Sequence, residues 1–161
     1  MRIFILGSGK MGRWLAEELC HDHELAIYDR DIRKLKHFFN LTRFSKLAEL
    51  KTFDPELVIN CVSLNHTVQA FEEISDLISK ETILSDISSV KYGIEDYYKR
   101  SGHRFVSTHP MFGPTFANIN DLSSENAVII SESDEEGKRF FWNFYNSLNL
   151  NLFEYSFDEH D

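Results

Sequence analysis

The chain is poor in cysteine, in long apolar runs and in positive charge, and each shortage removes a class of protein. Two cysteines in 161 residues, Cys20 and Cys61, cannot build a disulfide framework. They form no CxxC pair and Cys61 lies in an apolar run, so both are expected as buried free thiols, a usage that suits a reducing cytoplasm. No stretch approaches the ~18 apolar residues of a membrane span. The apolar start at residues 3–6 is broken at once by Gly7 and lacks a cleavage site, which reads as a strand and not a signal peptide. Seventeen bases against 26 acids leave a net charge of −9. That argues against a nucleic-acid partner, which needs a basic face, and leaves room for a small anion held by local donors. There is no repeat and no low-complexity linker, and the length is that of one domain.

What is present is an alternation of short apolar runs with helical patterns. Residues 3–6, 25–28, 57–62, 83–84, 105–106 and 127–130 read as strands. Helical spacing links Met11, Trp14, Leu15 and Leu19; Val68, Phe71, Leu77 and Ile78; and Val90, Ile94 and Tyr97. Ser133 with Glu136 reads as a capping box for a helix lined by Phe140, Phe141, Phe144, Tyr145 and Leu148, with the acids of 132–136 in its first turn. Strand, helix, strand, helix, with continuous rather than alternating apolar strands, predicts an α/β fold. It is a Rossmann-type, doubly wound, mostly parallel sheet with helices on both faces. Ligands of such folds bind along the carboxyl edge of the sheet, so Gly7, Asp29, Ser63, Asp86 and His109, each closing a strand, are the positions to inspect.

The first turn, Gly7-Ser8-Gly9-Lys10-Met11-Gly12, is a full GxGxxG. Gly7 permits the tight turn, Gly9 lets backbone approach a pyrophosphate, and Gly12 lets helix and strand pack closely, while free amides at the helix start face the phosphates. Asp29 closes the next strand 22 residues after Gly7, where a carboxylate can accept hydrogen bonds from the ribose hydroxyls. Asp29 favours NAD over NADP. Arg30 beside it could hold a 2′-phosphate, although a solvated surface base is the preferred reading.

Two more stretches reach the same edge. Residues 85–91, Ser-Asp-Ile-Ser-Ser-Val-Lys, follow a strand and are expected to open a helix, with Ser88 or Ser89 as its N-cap, Asp86 capping the turn and Lys91 on the helix surface. Residues 107–115 carry His109, which Pro110 biases toward extended backbone so that its ring can project from the strand end. Cys20, His21 and His23 crowd together, but no further ligand stands at suitable spacing and no metal is expected.

Thr-His-Pro-Met-Phe-Gly-Pro-Thr at 108–115, with Ser-Asp-Ile-Ser-Ser-Val-Lys and GxGxMG, resembles the prephenate dehydrogenase family of tyrosine biosynthesis over about the whole chain. His-Pro-Met-Phe-Gly-Pro is the specific part. The resemblance implies oxidative decarboxylation of prephenate to 4-hydroxyphenylpyruvate. His109 would accept the proton of the ring hydroxyl, a task suited to a pKa near neutrality. Ser89 would hold that hydroxyl and align the nicotinamide, and Gly113 and Thr115 would line the substrate pocket. It further implies that residues 1–155 form the dinucleotide domain. Residues 156–161, ending Glu159-His160-Asp161, would begin a helical domain bearing the homodimer interface and the cations for the substrate carboxylates. The chain alone would then bind dinucleotide with little turnover. Arogenate dehydrogenase, an imine or hydroxyacid reductase sharing GxGxMG, and a nucleotide-sensing module without catalysis are the rival readings.

Overall fold

The computed structural model describes residues 1–113 and 121–161. In chain order the elements are β1 (Arg2–Leu6), α1 (Lys10–Leu19), β2 (Glu24–Tyr28), β3 (Thr42–Arg43), α2 (Leu50–Phe53), β4 (Leu57–Asn60), α3 (Thr67–Ile74), β5 (Ile83–Asp86), α4 (Ile94–Ser101), β6 (Arg104–Pro110), β7 (Asn126–Ile130), α5 (Glu135–Ser147), β8 (Asn151–Tyr155) and α6 (Phe157–His160). They build one eight-stranded sheet in the order β3-β2-β1-β4-β5-β6-β7-β8.

The central strands β1, β2 and β4 are mostly apolar because both sheet faces are covered. Ile3 and Ile5 point into one layer, with Trp14 and Leu15 of α1 and Phe141 and Tyr145 of α5. Phe4 and Leu6 point into the other, with Phe71 of α3, Tyr97 and Tyr98 of α4 and Phe157 of α6. This is the doubly wound arrangement expected. Six strands run parallel, and β7 turns antiparallel to β6 with β8 parallel to β7.

The reversal changes how β6 is held. Its parallel pairing to β5 ends at Asp86 with Ser107, and its antiparallel pairing to β7 begins at Thr108 with Ile129 and continues through His109 with Val128. His109 is therefore inside a strand. Both edge elements, the two-residue β3 and the largely exposed β8, escape the apolar-run criterion because they bury too little to show one.

Several local expectations need correction. The strand expected at 57–62 stops at Asn60, where the amide of Val62 turns back to the Asn60 side chain at 3.2 Å. Leu77 and Ile78 fall beyond α3, which ends at Ile74. Helix α4 begins at Ile94 after Gly93, whose φ of 79° interrupts any earlier start, so neither Ser88 nor Ser89 caps it and Val90 is outside it. Asp134, and not Ser133, caps α5, accepting from the amides of Glu136 at 3.0 Å and Gly137 at 3.2 Å. Ser133 instead accepts from the amide of Ser107 at 3.0 Å, and Glu136 pairs with Arg104 at 2.8 Å. Cys20 and Cys61 are free and half-buried, less enclosed than expected. No helix among the described residues is long and apolar enough to cross a membrane.

Candidate functional site

The glycine turn leaves β1 on the sheet edge that also carries the ends of β2, β4, β5 and β6. Gly7 has a φ of 99°, and its amide donates to Tyr28 O at 2.8 Å, tying the turn to the neighbouring strand. A Cβ at Gly12 would overlap the Gly7 carbonyl oxygen, so only glycine lets α1 start this close to β1. A Cβ at Gly9 would meet nothing within 4 Å, because the backbone there faces open space. The first turn of α1 carries no acid, which leaves its positive end uncompensated.

In front of this turn lies a cleft of about 610 Å³ lined by Gly7, Gly9, Lys10, Met11, Asp29, Arg30 and Ser63 among others. Gly12 is buried beneath the turn and Ser8 faces Asp29. The Asp29 carboxylate is engaged within the protein: Oδ2 accepts from the amide and hydroxyl of Ser8, each at 2.8 Å, and Oδ1 accepts from the amide of Asp31 at 2.8 Å. Against the opposing pull of burial, these donors hold its pKa below the usual carboxylate value. Asp29 thus clamps the glycine turn and lines the cleft, with one acceptor site of Oδ1 left over. Arg30 is exposed and lies 3.8 Å from Glu73. On the opposite rim the Ser63 hydroxyl meets His66 Nδ1 at 2.8 Å.

His109 stands farther along the same edge. Leu6, Asn60, Asp86 and Ser107 form one row across the sheet, and His109 is two residues beyond it on the same face as Asp86. Three strand spacings, ~14 Å, separate the columns of Gly7 and His109. His109 does not line the glycine cleft. It is half-buried, and its Nδ1 lies 3.0 Å from His160 Nε2. Burial first, then the Lys91 ammonium and, whenever it is protonated, the His160 ring, pull its pKa down to about 4, well below the near-neutral value expected. At neutral pH the ring is therefore an uncharged acceptor.

Asp86 and Lys91 differ most from expectation. Lys91 is not on a helix surface. Its ammonium is fully buried, donating to Asp86 Oδ2 at 2.6 Å and to Thr108 O at 2.7 Å. Asp86 also accepts from Tyr98 OH at 2.7 Å and from the Ser88 amide at 3.0 Å, so it caps the turn and anchors a buried network as well. Burial, opposed by Asp86, lowers the Lys91 pKa, and burial with the adjacent carboxylate raises that of Tyr98. On the other face Thr108 Oγ1 shares a 2.8 Å hydrogen bond with Tyr145 OH. The residue before the imidazole is thus fixed from both layers. Ser89 is exposed on the turn after β5, Gly113 is half-buried after Phe112, and Thr115 lies outside the described residues.

Sequence reasoning put Lys91 on a helix surface and gave Tyr98 and His160 no place at the site. Opposite charges five residues apart in 85–91 were a usable signal for the ion pair. Nothing local signals that His160 meets His109 from 51 residues away.

Comparison with known proteins places this arrangement. Residues 18–150 match the model of the prephenate dehydrogenase nucleotide-binding domain. The chain is 28% identical over 120 residues, 71% of its length, to arogenate dehydrogenase 1 of Arabidopsis thaliana. It is 27% identical over 153 residues, 88% of its length, to a probable arogenate/prephenate dehydrogenase of Methanocaldococcus jannaschii. It spans 19% and 32% of those two proteins. Among solved structures it superposes on prephenate dehydrogenase from A. aeolicus, determined with hydroxyphenyl propionate and NAD+, with a TM-score of 0.82 at 19% identity, covering 99% of this chain and 61% of that one. The fold agrees throughout and the family model covers most of the chain, which therefore belongs to the prephenate dehydrogenase family through its nucleotide-binding domain.

Proposed function

We propose that the chain is the dinucleotide-binding part of a prephenate dehydrogenase of tyrosine biosynthesis, using NAD, with His109 as proton acceptor and Ser89 as ligand of the substrate hydroxyl. One observation carries this reading: an uncharged imidazole stands just above the sheet edge that also bears the glycine turn. The residues fit a dinucleotide, since Gly9 faces open space, Gly12 excludes any side chain and no side chain caps the amides at the start of α1. Gly7 to Gly12 would hold the pyrophosphate, Asp29 the ribose hydroxyls, and Ser63 the rim toward the nicotinamide. The carboxylate of Asp29 favours NAD over NADP, because a 2′-phosphate would meet its charge.

A nicotinamide held there would supply the hydride acceptor. His109 Nε2 takes the proton of the ring hydroxyl as the C–H bond of that carbon gives up its electron pair as hydride. The bond to the ring carboxylate then breaks, CO₂ leaves, and its electron pair completes the aromatic ring. Nε2 returns the proton to the phenolic oxygen, giving 4-hydroxyphenylpyruvate with no net proton released. Aromatisation drives the reaction, so the side chains mainly orient the ring and polarise its hydroxyl.

Arogenate is the second reading, favoured by the name of the Arabidopsis relative. It differs from prephenate in the side chain and not at the reacting ring. The same reading takes residues 1–155 as the dinucleotide unit and 156–161 as the start of a helical unit holding dimer contacts and substrate cations; that the chain spans 61% of its solved relative is compatible with such a further unit. Calorimetric titration with NAD and NADP, and NADH formation from prephenate or arogenate by the natural polypeptide carrying this chain, test the reading. Absence of dinucleotide binding, or His109→Asn with unchanged turnover, refutes it.

A further inference from the structure

We propose that His160 is a positioning residue that, steered by Asp161, holds His109 in the tautomer whose Nε2 carries no proton. The inference rests on the role given to His109 above and extends it to two residues outside the motifs of the sequence.

The argument is a chain of donors and acceptors. The Asp161 carboxylate only accepts, and its Oδ1 lies 3.1 Å from His160 Nδ1. The proton of neutral His160 is then on Nδ1, which leaves a lone pair on Nε2. That Nε2 is 3.0 Å from His109 Nδ1, so His109 must donate from Nδ1. Neutral His109 is left with a lone pair on Nε2, and among the described residues the ring's hydrogen bond is made at Nδ1. Which ring nitrogen carries the proton is set by the bond the other makes. A histidine in water prefers the opposite tautomer, with the proton on Nε2, so both rings are held against their own preference.

The scaffold makes this pairing specific. His109 is fixed within β6 opposite Val128. His160 arrives on α6, whose Phe157 is buried beside Phe105, with ring centroids 6.1 Å apart. The Phe157 amide donates to the Glu132 carboxylate at 3.1 Å, and Ser156 and Glu159 close a capping box. The two rings meet edge to face at 66°, 5.2 Å between centroids, and the His160 side chain is only 8% exposed. The other charged groups of the surroundings are the buried Lys91 ammonium, which disfavours a second cation, and the Asp86 and Asp161 carboxylates. When His109 takes up the hydroxyl proton, the positive charge is stabilised along the same line, by the His160 lone pair and then the Asp161 carboxylate, until the proton goes back.

The test reads the tautomers directly in the chain without cofactor or substrate, by long-range ¹H–¹⁵N correlation of ring-labelled histidine above neutral pH. Nδ1 of both His109 and His160 is expected protonated and Nε2 bare; the reverse pattern in His109 overturns the proposal. His160→Phe removes the acceptor and should return His109 to the solution preference. His160→Gln keeps an acceptor oxygen and should preserve the native pattern. Asp161→Ala, at an exposed position that folding tolerates, should release His160. If His109 is unmoved by both His160→Phe and Asp161→Ala, the proposal fails. In the natural polypeptide His160→Phe should lower kcat about 10–100-fold with NAD affinity unchanged, and His160→Gln should recover most of it. A normal tautomer pattern in a chain that binds no dinucleotide would instead refute the function proposed above and leave the positioning intact.

Discussion

Replacing Lys91 with Met is the sharpest test of how the edge below His109 is held. Methionine keeps the apolar stem but removes an ammonium that is wholly buried between Asp86 Oδ2 at 2.6 Å and Thr108 O at 2.7 Å. Asp86 would be left buried with only the Tyr98 hydroxyl and the Ser88 amide as donors. Breaking a buried pair from one side typically destabilises by about 3–5 kcal/mol, of which a stranded carbonyl accounts for ~1–3. Against a total stability of ~5–15 kcal/mol this is severe, and for a chain of this length it lowers Tm by roughly 6–20 °C. Urea unfolding followed by circular dichroism measures it. Asp86→Asn with Lys91→Met should be less destabilised than the sum of the two single changes, because no uncompensated charge is left. Loss of less than about 1 kcal/mol in the single variant, or strict additivity in the double, would refute the buried-pair reasoning.

Other outcomes follow from the same geometry. Gly12→Ala should destabilise by about 1–3 kcal/mol because its methyl overlaps the Gly7 carbonyl, whereas Gly9→Ala should stay within ~0.5 kcal/mol, and both should weaken NAD binding, Gly9→Ala by tenfold or more (~1.4 kcal/mol) in titration calorimetry. Asp29→Ser should narrow the preference for NAD over NADP, read as the ratio of the two Kd values, and should loosen the glycine turn by freeing Ser8. In an NMR titration His109 should titrate near a pKa of about 4, where an unperturbed ring has 6.5. The unfolded chain then binds more protons through this range, so this residue makes stability fall as pH drops through 6.5 toward 4 and contributes almost no pH dependence above about 7.5. Lys91→Met should move that midpoint upward.

How much of this was readable depended on whether the signal was local. Strands such as 3–6 announce themselves because burial on both faces demands continuous apolar residues, and GxGxxG followed by Asp29 is a short-range pattern with a steric cause. His109 was legible through its neighbours in the motif, and its depressed pKa was not, since that comes from Lys91 and His160 in other elements. Lys91 was misread because a lysine after a strand is ordinarily solvated; only the arrival of Thr108 O and Tyr98 around Asp86 makes burial tolerable. The capping assignment at Ser133 erred by one residue, as two competent cap residues stood side by side and the amide of Ser107, on another strand, chose between them.

The change of partner along β6 has a consequence for how this edge tolerates variation. Beyond Ser107 the strand parts from β5, and where a neighbouring amide would otherwise have met the Thr108 carbonyl, the Lys91 ammonium serves in its stead. The imidazole thus sits at the mouth of a fork whose tines are strands, and whose crotch is a single cation. The reach of that one side chain closes the fork, so a shorter residue at position 91 would leave the Thr108 carbonyl without its donor and the fork open beneath the ring.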